Sequence, residues 1–201
     1  MVKIKGDLKM SKQIFFFGTM NSAKSAQLLM QNYNYKEQGV NTLLVKPAID
    51  TRDGYLNISS RIGLKSEADY IIKPDTSQEE IMDYVLMNGN NIDVILVDEG
   101  QFISKKQADA LSESTRIMGI ELHVFGLLKD FQNNLFEGSQ DWLETSDNIV
   151  EIKTTCSKCT RKATCNLRLN DSKPVYDGDV VQIGGNESYV SVCREHYYDY
   201  D

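Results

Sequence analysis

The stretch Gln13-Ile14-Phe15-Phe16-Phe17-Gly18-Thr19-Met20-Asn21-Ser22-Ala23-Lys24-Ser25 decides the fold of this chain. Residues 13–18 predict a short buried strand, and residues 25–38 predict a helix that ends at Gly39. Residues 18–25 fit the pattern G-x-x-x-x-G-K-[ST] except that Ala23 replaces a glycine. In that pattern, backbone N–H groups bind phosphate oxygens, the lysine reaches the β- and γ-phosphates, and the hydroxyl holds Mg²⁺. The sequence therefore predicts a nucleotide-phosphate site with Lys24 on the phosphates and Ser25 on Mg²⁺.

The alanine at position 23 leaves a second interpretation open. If this position requires a positive φ angle, a Cβ atom there costs about 1 kcal/mol. The alternative to a phosphate loop is an ordinary turn that carries a surface lysine. A strand before the motif and a helix after it favour the phosphate loop.

Strands and helices alternate along the rest of the chain. Capping sequences at Ser77–Glu80 and Ser104–Gln107 predict the starts of two more helices, and residues 47–68 are predicted to form a long loop. Further strands are predicted at residues 41–46, 69–72, 92–97, 121–127 and 149–152. This alternation predicts an α/β fold with a mostly parallel sheet and ligands beyond the carboxyl ends of its strands.

Two acids follow the apolar strand Val94–Val97 directly. Asp98 stands where a carboxylate approaches phosphate-bound Mg²⁺, and Glu99 is a candidate general base for a hydroxyl proton. An acid pair at a strand end is more often a helix cap or a solvated turn. The acid pair is stronger evidence for a metal ligand and a general base when a phosphate loop precedes it in the same sheet.

The cysteines predict a closed zinc site. Cys156 and Cys159 form C-x-x-C, and Cys193 and His196 form C-x-x-H, which leaves Cys165 as a free thiol. Two disulfides are the alternative, but two short pairs of soft ligands suit one tetrahedral Zn²⁺ ion. The site has no open position for catalysis, so its role is to hold the long segment between the pairs.

Composition limits the classes of partner. The 201 residues include 22 Lys+Arg and 29 Asp+Glu, which gives a formal net charge of −7. Residues 153–201 contain seven bases and seven acids, so no basic face for nucleic acid is expected there. No apolar stretch approaches the roughly 18 residues of a membrane span. We expect residues 1–12 to be a disordered leader rather than a signal peptide, and the reducing cytoplasm to be the setting.

The combination of motifs resembles the zinc-containing, type II thymidine kinases, a family of cellular, bacterial and bacteriophage enzymes. The matching blocks are Gly18–Ser25, Asp50-Thr51-Arg52, Val97–Phe102, Gly126–Phe131, Cys156–Cys159 and Ile183–His196. Residues 59–63 and 135–139 are similar to the bacterial and phage branch in particular. The resemblance implies a RecA-like nucleotide-binding core over residues 13–152 and a zinc module with a substrate-binding lasso loop over residues 153–201.

The resemblance also implies roles for individual residues. Glu99 matches the base that takes the proton of the nucleoside 5′-hydroxyl, and Arg52 matches an arginine near the transferring phosphate. The residues matched to ATP binding are Gly18, Thr19, Met20, Asn21, Ser22, Ala23, Lys24, Ser25, Asp98 and Gln101. Those matched to the thymine pocket and the lasso are Met20, Phe102, Leu127, Phe131, Phe136, Val180, Val181, Gly184 and Tyr189. Met20 and the phenylalanines could instead be core residues. The family often has threonine or another residue facing the base where this chain has Asn166.

The activity implied is transfer of the γ-phosphoryl group of ATP to thymidine, with deoxyuridine as a further possible substrate. ATP, Mg²⁺ and structural Zn²⁺ are implied, as are a homotetramer and feedback inhibition by thymidine triphosphate. One alternative is a phosphate-loop ATPase with a zinc ribbon that acts on DNA, which the net charge disfavours. A second is a nucleotide-binding relative that has lost turnover through Ala23.

Overall fold

The computed structural model describes residues 11–49, 54–180 and 189–200. The strands are β1 Gln13–Phe17, β2 Thr42–Pro47, β3 Asn57–Ser59, β4 Lys65–Glu67, β5 Tyr70–Ile72, β6 Val94–Val97, β7 Glu121–Gly126, β8 Asn148–Glu151, β9 Cys165–Asn170, β10 Lys173–Val175 and β11 Tyr189–Val192. The helices are α1 Lys24–Glu37, α2 Gln78–Asn88, α3 Lys105–Met118, α4 Glu137–Thr145 and α5 Arg194–Tyr198. Short 3₁₀ turns cover Gly89–Asn91 and Gly100–Phe102.

Six strands form the central sheet in the order β5-β2-β6-β7-β1-β8, and all five pairings between them are parallel. Phe17 is aligned with Gly126, and Val97 with Val124. The loops that follow β1, β6 and β7 therefore leave the sheet at the same edge. This confirms the predicted α/β fold with a mostly parallel sheet, and it places the phosphate loop beside the two acids.

Helices cover both faces of the sheet. On one face, α2, α3 and α4 bury Ile81, Leu111 and Trp142 against inward side chains of β1, β2, β6 and β7. On the other, α1 buries Leu28 and Leu29. Side chains of β6 alternate between these two cores, because successive residues of a strand point to opposite faces.

Two parts of the fold differ from the sequence-based prediction. Residues 47–68 are not a simple loop, since β3 and β4 form an antiparallel hairpin whose Ile58 packs on the α1 face. Helix α4 was not predicted, because its buried positions include Gly138, Ser139 and Asp141 rather than an apolar stripe. Gly138 is needed there because a Cβ atom would lie 2.3 Å from the carbonyl oxygen of Ile103.

A second, antiparallel sheet is formed by the C-terminal strands in the order β10-β9-β11. Helix α5 follows β11 and packs on it. The boundary at residues 152/153 and the disordered leader stay predictions, and residues 1–10 lie outside the described part. None of the helices in the described ranges is long and apolar enough to cross a membrane.

Trp142 joins α4 to the turn after β6. Its side chain is fully buried, and its indole Nε1–H donates to the carbonyl oxygen of Gly100 at 2.9 Å. Gly100 lies between two residues of the predicted site, Glu99 and Gln101. The tryptophan therefore fixes the backbone that carries both.

Replacing Trp142 with phenylalanine should lower the free energy of unfolding by about 2 kcal/mol, because the Gly100 carbonyl loses its buried donor. Urea unfolding followed by circular dichroism measures this, since the chain has one tryptophan and its fluorescence is lost in the variant. Tyr198→Phe is the control, because Tyr198 is 71% exposed. An unchanged unfolding free energy in Trp142→Phe would contradict this role of the indole.

Candidate active site and metal centre

Two residues of the loop after β1 have left-handed backbone conformations. Asn21 and Ala23 have left-handed φ angles of 64° and 63°. The positive φ considered for position 23 is thus confirmed, and Ala23 adopts it without a glycine. Gly18 must lack a side chain, because a Cβ atom would lie 2.5 Å from the carbonyl oxygen of Ile152.

Lys24 is folded back onto its own loop. Its Nζ donates to the carbonyl oxygens of Thr19 at 2.8 Å and Gly18 at 3.2 Å, and lies 3.4 Å from Ser22 Oγ. The side chain is 8% exposed. A cation held over the loop in this way is placed to meet phosphate oxygens, which are stronger acceptors than carbonyl groups.

Ser25 and Asp98 meet at the edge of the sheet. The Ser25 hydroxyl donates to Asp98 Oδ1 at 3.2 Å, although 73 residues separate them. Asp98 is 4% exposed, and its backbone N–H donates to the Val45 carbonyl oxygen. A hydroxyl and a carboxylate side by side beneath a phosphate loop are the oxygen ligands that Mg²⁺ takes in nucleotide sites.

Gln101 holds the candidate base in position. Its Nε2 donates to Glu99 Oε2 at 2.6 Å, and its Oε1 accepts from the Leu127 N–H at 2.9 Å. Glu99 itself has a left-handed φ of 50°. Gln101 is 3% exposed and both ends of its amide are bound inside the protein. The sequence predicted ATP binding for Gln101, whereas these contacts suit it to aiming the Glu99 carboxylate.

The predicted pocket residues fall into two groups. Phe102 and Phe136 pack edge to face with ring centroids 5.8 Å apart. Phe131 and Tyr189 both contact Arg168, whose guanidinium carbon is 3.7 Å from the Phe131 ring centroid and 5.3 Å from that of Tyr189. All the described members border the carboxyl edge or the C-terminal sheet. Phe131 is 1% exposed, so its ring supports Arg168.

Arg168 was missed by sequence reasoning. It is 6% exposed, and its Nε and Nη2 donate to Tyr189 Oη at 2.9 and 2.6 Å. Nη2 also donates to the carbonyl oxygen of Asp179 at 2.6 Å, with that of Val180 at 3.5 Å. The arginine thus fixes the start of the predicted lasso. No sequence pattern signals it, because its partners lie in other segments of the chain.

Three predicted site residues, Arg52, Val181 and Gly184, lie outside the described residues. Val180 is 39% exposed at the end of the described segment.

Cys156, Cys159, Cys193 and His196 form a cluster whose candidate ligand atoms all lie within 4.8 Å of one another. His196 Nδ1 is 3.4 Å from the Sγ atoms of both Cys156 and Cys193, and the Sγ atoms of Cys159 and Cys193 are 3.9 Å apart. A tetrahedral ion with Zn–S near 2.3 Å and Zn–N near 2.1 Å has edges of about 3.5–3.8 Å. The four predicted ligands therefore fit Zn²⁺ in both donor type and spacing.

The environment of Cys156 favours the thiolate that a metal requires. Burial alone would raise the pKa of this thiol, but hydrogen bonds from the backbone N–H groups of Cys193, Lys158 and Cys159 lower the pKa to about 7. Cys165 is buried nearby but does not belong to the cluster. The prediction that it is a free thiol is confirmed.

Helix α5 connects the cysteine cluster to the pocket. It begins directly after Cys193, and Tyr197 on it donates its hydroxyl to the Phe131 carbonyl oxygen at 2.7 Å. Burial raises the pKa of Tyr197 to about 12, so its hydroxyl remains protonated as a donor. A metal that fixes Cys193 and His196 thereby also fixes the backbone of Phe131.

Comparisons with known proteins point to one family. A family model described as thymidine kinase matches residues 11–197. Thymidine kinases of Streptococcus pyogenes serotype M3 and serotype M1 are each 43% identical, over 94% and 96% of this chain and 98% and 100% of their own lengths. The thymidine kinase of Streptococcus agalactiae serotype V is 43% identical over 96% of this chain and its whole length.

A similarity to a solved structure is much weaker. The Pif1 helicase of Candida albicans superposes with a TM-score of 0.42 and 15% identity, over 72% of this chain and 36% of the helicase. This similarity is too low to bear on function. With the family match over nearly the whole length and the streptococcal relatives at 43% identity, the chain belongs to the thymidine kinase family.

Proposed function

We propose that this protein transfers the γ-phosphoryl group of ATP to the 5′-hydroxyl of thymidine and releases ADP and thymidine monophosphate. The observation that carries the proposal is the placement of Glu99. Its carboxylate is held by Gln101 at 2.6 Å, one residue after Asp98 and at the same sheet edge as the phosphate loop. A base placed there can serve a hydroxyl that faces the γ-phosphate.

The phosphate loop binds the triphosphate. Lys24 exchanges the carbonyl oxygens of Gly18 and Thr19 for β- and γ-phosphate oxygens, and N–H groups at the start of α1 bind the remaining negative charge. Ser25 and Asp98 would hold Mg²⁺, which supplies charge neutralisation on the phosphates. Arg52 is assigned to the charge on the transferring group through its match to the family's Asp-x-Arg block.

Glu99 acts on the acceptor hydroxyl. As the 5′-oxygen forms its bond to the γ-phosphorus, the carboxylate accepts the hydroxyl proton, and the bond to the β-γ bridging oxygen breaks so that ADP leaves. The hydrogen bond from Gln101 holds the Glu99 carboxylate in one orientation at the sheet edge, where it is to receive the proton. The apolar side chains of Phe102, Leu127 and Phe136 are assigned to exclude water from the nucleoside.

The two alternatives lack support. A DNA-acting ATPase requires a basic surface, whereas residues 153–201 sum to 7 − 7 = 0 and the whole chain to −7. A relative inactivated by Ala23 requires that alanine to prevent loop formation. Ala23 instead adopts the left-handed conformation, and Lys24 lies in place over the loop.

Several finer points rest on the resemblance to the family. We assign to this chain a homotetrameric assembly, feedback inhibition by thymidine triphosphate, a cytoplasmic setting and no nucleic-acid partner. Deoxyuridine is a second candidate substrate, because it differs from thymidine by one methyl group. Val181 and Gly184 are assigned to the lasso that contacts the base through its backbone.

Glu99→Gln should lower kcat by about 10²–10⁴-fold, because an amide cannot accept the 5′-hydroxyl proton. ADP binding should not change, since the substitution leaves the phosphate loop intact. Chromatographic detection of thymidine monophosphate and calorimetry with ADP measure the two quantities. Glu79→Gln, at an exposed position of α2, is the matched control. Retained turnover in Glu99→Gln would exclude Glu99 as the base.

Arg168→Met should raise KM for thymidine about tenfold, the effect of losing roughly 1.4 kcal/mol of binding. The long apolar side chain preserves packing on Phe131 but loses the bonds to Tyr189 and Asp179. Arg168→Lys should recover part of the loss, because it restores one donor. KM for ATP, measured at saturating thymidine, should stay unchanged. A fall in thermal stability with normal KM for thymidine would assign Arg168 a structural role alone.

Cys156→Ala should lose bound zinc and lower Tm, because three ligands do not close a structural site. Cys165→Ala is the matched control and should retain zinc, since Cys165 lies outside the ligand cluster. Elemental analysis and thermal unfolding measure both effects. Full zinc content in Cys156→Ala, or loss of zinc in Cys165→Ala, would contradict the assigned ligands.

A further inference from the structure

One residue of the phosphate loop, Met20, is held at both its backbone N–H and its carbonyl oxygen by the C-terminal sheet. The Met20 N–H donates to Asn166 Oδ1 at 2.8 Å, and the Met20 carbonyl oxygen accepts from Ser191 Oγ. Asn166 in β9 and Ser191 in β11 are directly paired residues of that sheet. We refer to these two side chains and the bonds they make to Met20 as the clamp.

The clamp is buried and fully bonded. Asn166 is 5% exposed and Ser191 is 4% exposed. The second end of the Asn166 amide is also bound, since Nδ2 donates to the Lys129 carbonyl oxygen at 3.2 Å. Asn166 therefore ties together the phosphate loop, the segment after β7 and the C-terminal sheet. Both ends of its amide are bound to protein atoms, so its contribution is made through Met20 and Lys129.

The clamp lies where the loop needs support. Asn21, the residue after Met20, and Ala23 both have left-handed φ angles. A non-glycine residue in this conformation costs of order 1–3 kcal/mol and persists only where its surroundings hold it. Asn166 and Ser191 hydrogen-bond to Met20 from outside the loop. These bonds fix the backbone of the residue that directly precedes the strained part of the loop.

Hydrogen bonds of this kind could have the sole role of holding the two sheets together. Two features favour a functional role. The held residue, Met20, belongs to the phosphate loop itself, and the same β9–β11 pair carries Arg168 opposite Tyr189 two residues along. One strand pair thus holds both the phosphate loop and the side chains assigned to the nucleoside pocket.

We propose that Asn166 and Ser191 are positioning residues that keep the phosphate loop in its ATP-binding form and couple nucleoside binding to nucleotide binding. The inference rests on the proposed function, because it takes residues 18–25 as the ATP site. A bound nucleoside that orders β9 and β11 makes the clamp more rigid. The nucleotide then loses less binding free energy to ordering the phosphate loop. By reciprocity, the nucleotide strengthens nucleoside binding by the same factor.

The experiment measures ADP binding with Mg²⁺ by calorimetry, with and without saturating thymidine. In the wild-type protein, thymidine should tighten ADP binding about fivefold or more. Ser191→Ala and Asn166→Ala should each weaken ADP binding about tenfold without thymidine, and thymidine should no longer tighten it. Ser191→Thr keeps the hydroxyl and should behave as the wild type. Asn170→Ala is the matched control, an exposed asparagine on the same strand, and should change neither quantity.

A second measurement follows the clamp without any ligand. Hydrogen exchange at the Met20 amide should be slow in the wild-type protein and fast in Asn166→Ala, whereas the β7 amides should exchange as before. A structural role alone would lower Tm but leave ADP affinity and its dependence on thymidine unchanged. That result, or an unchanged Met20 exchange rate in folded Asn166→Ala, would overturn the inference. Failure of the wild-type protein to bind ADP would overturn the proposed function and this inference with it.

Discussion

Parallel pairing of β1, β7 and β6 is the constraint on which the rest of the site depends. With Phe17 aligned to Gly126 and Val97 to Val124, three chain segments leave the sheet at one edge. The segment after β1 supplies the phosphate loop, that after β6 supplies Asp98 and Glu99, and that after β7 supplies Leu127. A one-residue slip in any pair would turn the buried side chains to the wrong face and move these groups apart.

Residues of the site have strained backbone conformations, and polar contacts with neighbouring residues hold them in place. Ala23 and Glu99 both have left-handed φ angles without being glycine. The turn that contains Glu99 is held by the Trp142 indole on Gly100 and by Gln101 between Glu99 and Leu127. Trp142 is fully buried and Gln101 is 3% exposed, so their hydrogen bonds compete with little solvent and keep one geometry. The candidate catalytic groups are therefore placed by residues that need not touch a substrate.

The sequence predicts the parts of this structure that are local. The phosphate loop, the acids after β6, the capping boxes at Ser77 and Ser104 and the zinc ligands each form a recognisable pattern over a few residues, and the structure has them. The contacts that were missed join distant segments: Asn166 and Ser191 reach Met20 across 146 and 171 residues. Helix α4 was missed because polar and small residues occupy its buried face. Sequence patterns do not predict such contacts, because only the fold brings the partners together.

The core of the C-terminal sheet is small and is shared with the candidate metal site. Its buried residues are Cys156, Cys165, Leu167, Val192, Cys193 and Tyr197, and two of these six belong to the candidate metal cluster. A core with so few apolar side chains gives little stability by itself, and a metal bound to the cluster would add to it. The module has no net charge, while the remaining residues carry the whole −7. In the proposed function, an uncharged nucleoside needs no electrostatic attraction, and the charge of ATP is assigned to Lys24 and a helix N-terminus. The C-terminal sheet therefore acts on the phosphate loop by position rather than by charge, through its two hydrogen bonds to Met20.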